Sequence, residues 1–98
     1  MHRRPADAST STARSGDAGR VVFAGKYAAY GNTVVLDHGE HYFSLYASLQ
    51  RIDVTVGQAL PELGRVGWVT RQGQQPPGLY FELRHRERVL KARSWLGI

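Results

Sequence analysis

The sequence predicts an all-β protein, an antiparallel sheet folded as a sandwich or open barrel. Three observations lead there. The apolar residues come in short runs; those runs are rich in Val, Tyr and Phe; and each is closed by Gly, Asn, Asp or Pro. The runs are "VVFAG" (21–25), "NTVVLDHG" (32–39), "HYFSLYASL" (41–49), "GRVGWVT" (64–70) and "GLYFELRH" (78–85). With 98 residues the chain makes one domain at most.

Residues 1–18 are rich in Ser, Thr, Ala, Asp and Arg and hold no apolar run. Such a segment cannot bury enough surface to offset chain entropy, so it is expected to be a disordered or loosely held tail. That leaves roughly 80 residues, 19–98, to form the core of a small domain. The "DHGEH" link joins two strands of similar length, and Asp37, Gly39 and Glu40 suit a tight turn. Alternation over 42–48 puts Phe43, Leu45 and Ala47 on one face and Tyr42, Ser44, Tyr46 and Ser48 on the other. The apolar face is expected inside and the aromatic-polar face outside. In residues 50–63, Ile52, Val54 and Val56 alternate before Gly57, an extended segment in which Gly57 and Pro61 oppose a helix. Over 79–84, Leu79, Phe81 and Leu83 read as core, and Tyr80, Glu82 and Arg84 as the open face. The C-terminal "RVLKARSWLGI" reads as a strand end and a turn, with Trp95 and Leu96 pinning the terminus to the core.

A formal net charge of +5 favours anionic partners. Nucleic acid is not expected among them, because the basic residues do not interleave with the strand aromatics. The absence of cysteine excludes disulfides and thiolate metal sites. No segment approaches the roughly 20 apolar residues of a membrane helix, and "MHRR" is not followed by the apolar stretch of a signal peptide.

Catalytic motifs are scarce. Of His2, His38, His41 and His85, only His38 and His41 are neighbours, flanking a turn. A zinc site needs three or four converging ligands, so hydrogen-bonding turn histidines are the expectation. Glu82 shares a face with Tyr80, where a carboxylate can serve as a general base; an inter-strand salt bridge with an arginine is the preferred reading. There is no G-x-S-x-G, and "GQQPPG" lacks the lysine of a phosphate-binding loop.

The ordered set Gly19 to Gly25, Tyr30-Gly31, "LDHG", "SLYASL", "VTVGQAL", "GRVGWV", "LYFELR" and "SWLG" resembles the LytM-type (lysostaphin-like, peptidase family M23) zinc peptidase domain acting on bacterial peptidoglycan. The resemblance implies an antiparallel sheet or open sandwich of the duplicated hybrid-motif, barrel-sandwich type over 19–98. The domain's first strands are expected to be missing, since the composition of "RRPADASTSTARSGD" argues against its replacing them. An incomplete N-terminus would leave a sheet edge exposed.

The same resemblance bears on function. The family's zinc is held by a His and an Asp of an upstream motif, which has no counterpart here, and by the second His of a His-x-His pair. That pair falls on Gly78 and Tyr80, and a further catalytic His falls on Ser48. No catalytic residue, metal or cofactor is therefore expected: a phenol would have to ionise from a pKa near 10 to act as a ligand, and no zinc-activated water can be assembled. The form "PGLYFE…WLG" with "LYASLQ" is similar to the non-catalytic LytM domains of the EnvC-type murein hydrolase activators. That likeness implies a periplasmic domain whose vacated groove binds and switches on an N-acetylmuramoyl-L-alanine amidase during septum splitting. It places the partner surface at Tyr46, Ser48, Gly78, Tyr80 and Glu82, with Arg71 and Gln72 in the adjoining loop. Two alternatives stay open: a LytM-family metalloendopeptidase whose missing ligands come from elsewhere, and a peptidoglycan-binding module without an amidase partner.

Overall fold

A computed structural model of the chain describes residues 9–71 and 78–94. In chain order the strands are β1 (Ser9–Arg14), β2 (Gly19–Lys26), β3 (Asn32–Gly39), β4 (Tyr42–Leu49), β5 (Arg51–Ile52), β6 (Ala59–Leu60), β7 (Arg65–Arg71), β8 (Tyr80–His85) and β9 (Arg88–Ser94). A single 3-10 turn, Ala28–Tyr30, separates β2 from β3. All pairings are antiparallel. They form a six-stranded sheet of order β6-β2-β3-β4-β8-β9 and a three-stranded sheet of order β1-β7-β5. The all-β expectation therefore holds, and no helix among the described residues is long and apolar enough to cross a membrane.

The core lies where the two sheets meet. Ala13, Val66 and Val69 come from the small sheet, and Val21, Val34, Leu36, Tyr46 and Leu49 from the large one. Leu60 of β6 and Val54, which lies between β5 and β6, close the cluster, and Leu79 and Phe81 pack against it. Gly67 sets how closely the small sheet can assemble. A Cβ there would lie 2.3 Å from the Arg51 carbonyl oxygen, so only glycine lets β5 reach β7.

The N-terminal expectation is corrected. Residues 9–14, assigned to a loose tail, form β1 and pair along β7 from Ser9↔Arg71 to Arg14↔Arg65. Composition misled because this strand has a ready template. The β7 backbone supplies the hydrogen bonds, threonine suits an extended chain, and Ala13 enters the core. Beyond the strand, Ser15 is fully buried. Its N–H donates to the Gly64 carbonyl (2.9 Å), its carbonyl accepts from Leu63 N–H (3.0 Å), and its Oγ donates to the Pro61 carbonyl (3.1 Å). Three hydrogen bonds thus fasten the start of the chain to the loop before β7. The small sheet's β7 is paired on both sides, by β1 and β5, rather than left as an edge.

The turn between β3 and β4 is as tight as expected. Gly39 pairs with Tyr42, and the two residues between them, Glu40 and His41, both have positive φ (56° and 67°), as a type I′ hairpin requires. Asp37 Oδ1 accepts the Gly39 N–H at 2.8 Å. The C-terminal segment read as a strand end is a full strand, β9, paired to β8; Trp95 and Leu96 lie outside the described residues.

Candidate functional site

Strand pairing decides which residues share a face. In the β4–β8 ladder Tyr46 opposes Phe81, Leu45 opposes Glu82, Phe43 opposes Arg84 and Ala47 opposes Tyr80. Residues directly opposite point the same way. Phe43, Leu45 and Ala47 therefore lie on the face of Tyr80, Glu82 and Arg84, turned away from the small sheet. On β3, Val35 joins them through its pairing with Leu45.

This outer face carries a concavity of about 330 Å³ lined by Tyr27, Tyr30, Val35, Phe43, Ser44, Leu45, Arg84 and Arg86. Two of its lining residues, Tyr27 and Tyr30, belong to a row of rings that continues to Phe23 on one side and Tyr80 on the other. Phe23 and Tyr27 meet edge-on at 5.6 Å, Tyr27 and Tyr30 stack at 5.7 Å, and Tyr30 and Tyr80 tilt together at 5.5 Å. The 3-10 turn creates the middle of the row. It places Tyr27 and Tyr30 one turn apart, fixed by a Tyr30 N–H to Tyr27 carbonyl bond of 2.9 Å, and Gly31 at φ 75° lets the chain re-enter the sheet.

Glu82 anchors the row from below. Its side chain is 5% exposed. Oε2 accepts from the Tyr80 hydroxyl and, at 3.4 Å, from the Tyr30 hydroxyl. Oε1 accepts from Arg84 Nε at 2.7 Å. Burial pushes the Glu82 carboxyl upward, but the bonds from Tyr80 and Arg84 and the Arg84 charge outweigh it, so the group lies below the usual glutamate value. The hydrogen bond to Glu82, with help from burial and the carboxylate's charge, pushes the Tyr80 phenol up to about 12. The Arg84 guanidinium is held still more firmly in its charged form by Glu82. At neutral pH the group is an ionised acid, a neutral phenol and a cation.

The donors on this strand do not fit a zinc ion. Tyr80 is a protonated phenol that donates to Glu82, Gly78 offers no side chain, and the Glu82 oxygens already accept three bonds. Zinc requires deprotonated or neutral-nitrogen ligands in a tetrahedral set. His38 is engaged on the opposite side of the sheet. Its Nδ1 lies 2.7 Å from the Ala18 carbonyl, which can only accept, so Nδ1 carries a proton; its Nε2 lies 2.7 Å from Ser44 Oγ. His41 sits in its hairpin, and His85 stacks on Tyr42 at 4.2 Å.

The positions expected to form a partner surface divide. Tyr80 and Glu82 stand together on the outer face, and Gly78, half-exposed, leads into their strand. Glu82 does form an ion pair with an arginine, though along its own strand rather than across strands. Ser48 is half-buried with φ 62°, and it follows Ala47, the partner of Tyr80. This left-handed residue interrupts the alternation of β4 and returns Leu49 to the core. Arg71 ends β7, in the other sheet. Gln72 lies outside the described residues.

Tyr46 is a correction. It is 4% exposed, packs edge-on against Phe81 at 5.2 Å and belongs to the core. The face expected to open outward on β4 is the inner one. Its polar groups are satisfied locally: Gly16 N–H donates to the Tyr46 hydroxyl at 3.1 Å, and Ser44 meets His38. Burial, with a contribution from the nearby Asp17 charge, raises the Tyr46 pKa despite the bond from Gly16. Both faces of this strand carry apolar atoms, so alternation separates them without saying which is covered. Sequence reasoning also missed Tyr27 and Tyr30 as site residues; the doublet in "KYAAYG" is the signal that could have found them.

The Peptidase family M23 model matches residues 6–92, which includes β1. The chain is 38% identical over 82 residues to the murein hydrolase activator EnvC of Escherichia coli, covering 81% of this chain and 19% of that protein. It is 36% identical over 78 residues to an uncharacterized protein of Neisseria meningitidis, covering 80% of this chain and 13% of the relative. The chain thus spans a fifth or less of the curated relatives it matches. Among solved structures, an M23 peptidase homologue from Pseudomonas aeruginosa superposes with a TM-score of 0.71 at 30% identity, over 81% of this chain and 35% of the other. By sequence, by strand order and by the matched span, this chain belongs to peptidase family M23.

Proposed function

We propose that this is a non-catalytic M23 domain that binds and activates an N-acetylmuramoyl-L-alanine amidase in the periplasm, in cell-wall remodelling and septum splitting. The observation that carries this reading is Tyr80. By the family resemblance it falls on the strand position of a zinc-ligating histidine, and its hydroxyl is committed to a buried carboxylate. A groove without an electrophile can still grip a partner. Tyrosine rings supply large contact area at low entropy cost, and Arg86, beside an Arg84 already balanced by Glu82, adds a positive charge suited to an acidic segment. The likeness to a protein named as a murein hydrolase activator supports the choice of partner.

The test is stimulation of a purified amidase on labelled peptidoglycan. The domain is expected to stimulate, and Tyr80→Asp is expected to abolish the effect, because it removes a ring from the row and sets a second carboxylate beside Glu82. Tyr27, 50% exposed at the rim, gives a second variant less demanding of the fold, and Tyr27→Glu is expected to weaken stimulation. Normal stimulation by both variants sinks the groove assignment. Stoichiometric zinc with peptide-bond cleavage would establish the endopeptidase instead, and binding to sacculi without any effect on amidases would establish a wall-binding module.

A further inference from the structure

On the small sheet, sharing no residue with the tyrosine groove, a second cluster surrounds one carboxylate. Asp53 Oδ2 accepts from the Trp68 indole N–H at 2.6 Å. Arg51 Nε lies 3.3 Å from Asp53 Oδ1, and Arg65 Nε 3.1 Å from Oδ2. Both guanidinium groups also lie over the Trp68 ring, at 5.1 and 5.4 Å from its centre. The scaffold is rigid. Arg51 pairs with Trp68 across the β5–β7 ladder, and Gln50 N–H and Asp53 N–H donate to the Trp68 and Val66 carbonyls at 2.7 and 3.1 Å.

Two guanidinium groups share a single acid, so the cluster keeps a net positive charge. Each arginine meets Asp53 through Nε, and the two side chains are 66% and 49% exposed. Long arginine side chains at a surface normally lose much entropy on binding. Here the indole and the carboxylate already hold both planes, which lowers that cost. Paired planar donors of this kind match the two oxygens of a carboxylate or phosphate.

We propose that Arg51 and Arg65, held by Trp68 and Asp53, form a binding site on the small sheet for a two-oxygen anionic group, separate from the groove of Tyr80. The shared ligand chemistry is a two-oxygen anionic group, either a carboxylate or a phosphate. The site does not depend on the activator reading.

Binding of the whole chain to poly-L-glutamate and to polyphosphate, measured calorimetrically at about 0.15 M salt, tests this and separates the two anion types. The double variant Arg51→Lys, Arg65→Lys keeps the charge and loses the planar donors. It is expected to weaken binding to the preferred polymer about tenfold, the equivalent of one charge-assisted hydrogen bond. The charge control Arg88→Ala, Lys91→Ala removes two exposed cations elsewhere and is expected to change binding much less. Circular dichroism confirms that each variant is folded. Binding to neither polymer, lysines that serve as well as arginines, or an equal loss in the charge control would overturn the proposal. Since neither change touches the tyrosine groove, amidase stimulation is expected to persist in both variants.

Discussion

Glu82 and Asp53 are built from the same parts and differ in setting. Each is a carboxylate that accepts from an aromatic side chain and from arginine. Glu82 is sunk in the large sheet, with two phenols and one guanidinium as donors. Asp53 lies on the small sheet with its side chain 20% exposed, one indole and two guanidiniums around it. In the first group one cation balances one anion, and the network fixes neutral rings in a row. In the second the cations outnumber the acid near solvent. Burial turns a carboxylate into an internal strut; exposure with surplus cations turns it into a support for something outside.

The sharpest way to break that contrast is to remove each acid. Glu82→Ala leaves two phenols and Arg84 without their acceptor, and is expected to cost about 2–3 kcal/mol in urea unfolding, discounted because Arg84 can reach water. A value under about 0.5 kcal/mol would show that Glu82 is no strut. Next in size comes Gly67→Ala, which drives a methyl into the Arg51 carbonyl. It is expected to destabilise by about 2 kcal/mol and to disturb the β5–β7 pairing that positions Arg51 over Trp68. Amide exchange at Asp53, whose N–H bonds to Val66, reads that directly.

Titration sharpens the comparison further. Tyr80 is raised from 10.0 to about 12 in the fold, so the folded state holds its proton more tightly. The resulting stabilisation is complete below pH 10 and is lost as pH rises from 10 through 12. The stability of Tyr80→Phe is therefore expected to fall less steeply over that window than that of the wild type. Glu82 moves the other way. Its lowered value contributes stability above the ordinary 4.5, lost as pH drops from there through the folded value, and Glu82→Gln should flatten this acid limb. The smallest effect belongs to Asp53→Asn. An exposed, screened pair is worth under about 1 kcal/mol, so its melting temperature should scarcely move while the Arg51 and Arg65 planes loosen.

How much of this was legible in the sequence varies by element. The strands at 32–39 and 42–49 and the hairpin between them follow from β-rich runs and turn residues, and alternation separates the two faces of β8, but Glu82, read as open, is the buried residue of that strand and Leu83, read as core, is only half-buried. On β4 the same test separated the faces and then assigned them the wrong way round. Tyr46 and Ser44 looked like solvent residues, yet their partners, the Gly16 N–H and His38, lie 30 and 6 residues away in the chain. Strand β1 was hidden for a related reason: a Ser/Thr segment gains a partner only once β7 exists beside it.

The sequence by itself determined the strand content, the ordered motifs that carry the family likeness, and the absence of imidazole at 48, 78 and 80. Those are local properties: periodicity, turn chemistry and residue identity survive without knowing what lies across a sheet. The tertiary structure alone decided which face of β4 is covered, that Tyr27, Tyr30 and Tyr80 form one row, and that Arg51, Asp53, Arg65 and Trp68 meet. Each of those depends on register between segments far apart in the chain, where a shift of one residue sends every side chain to the opposite face.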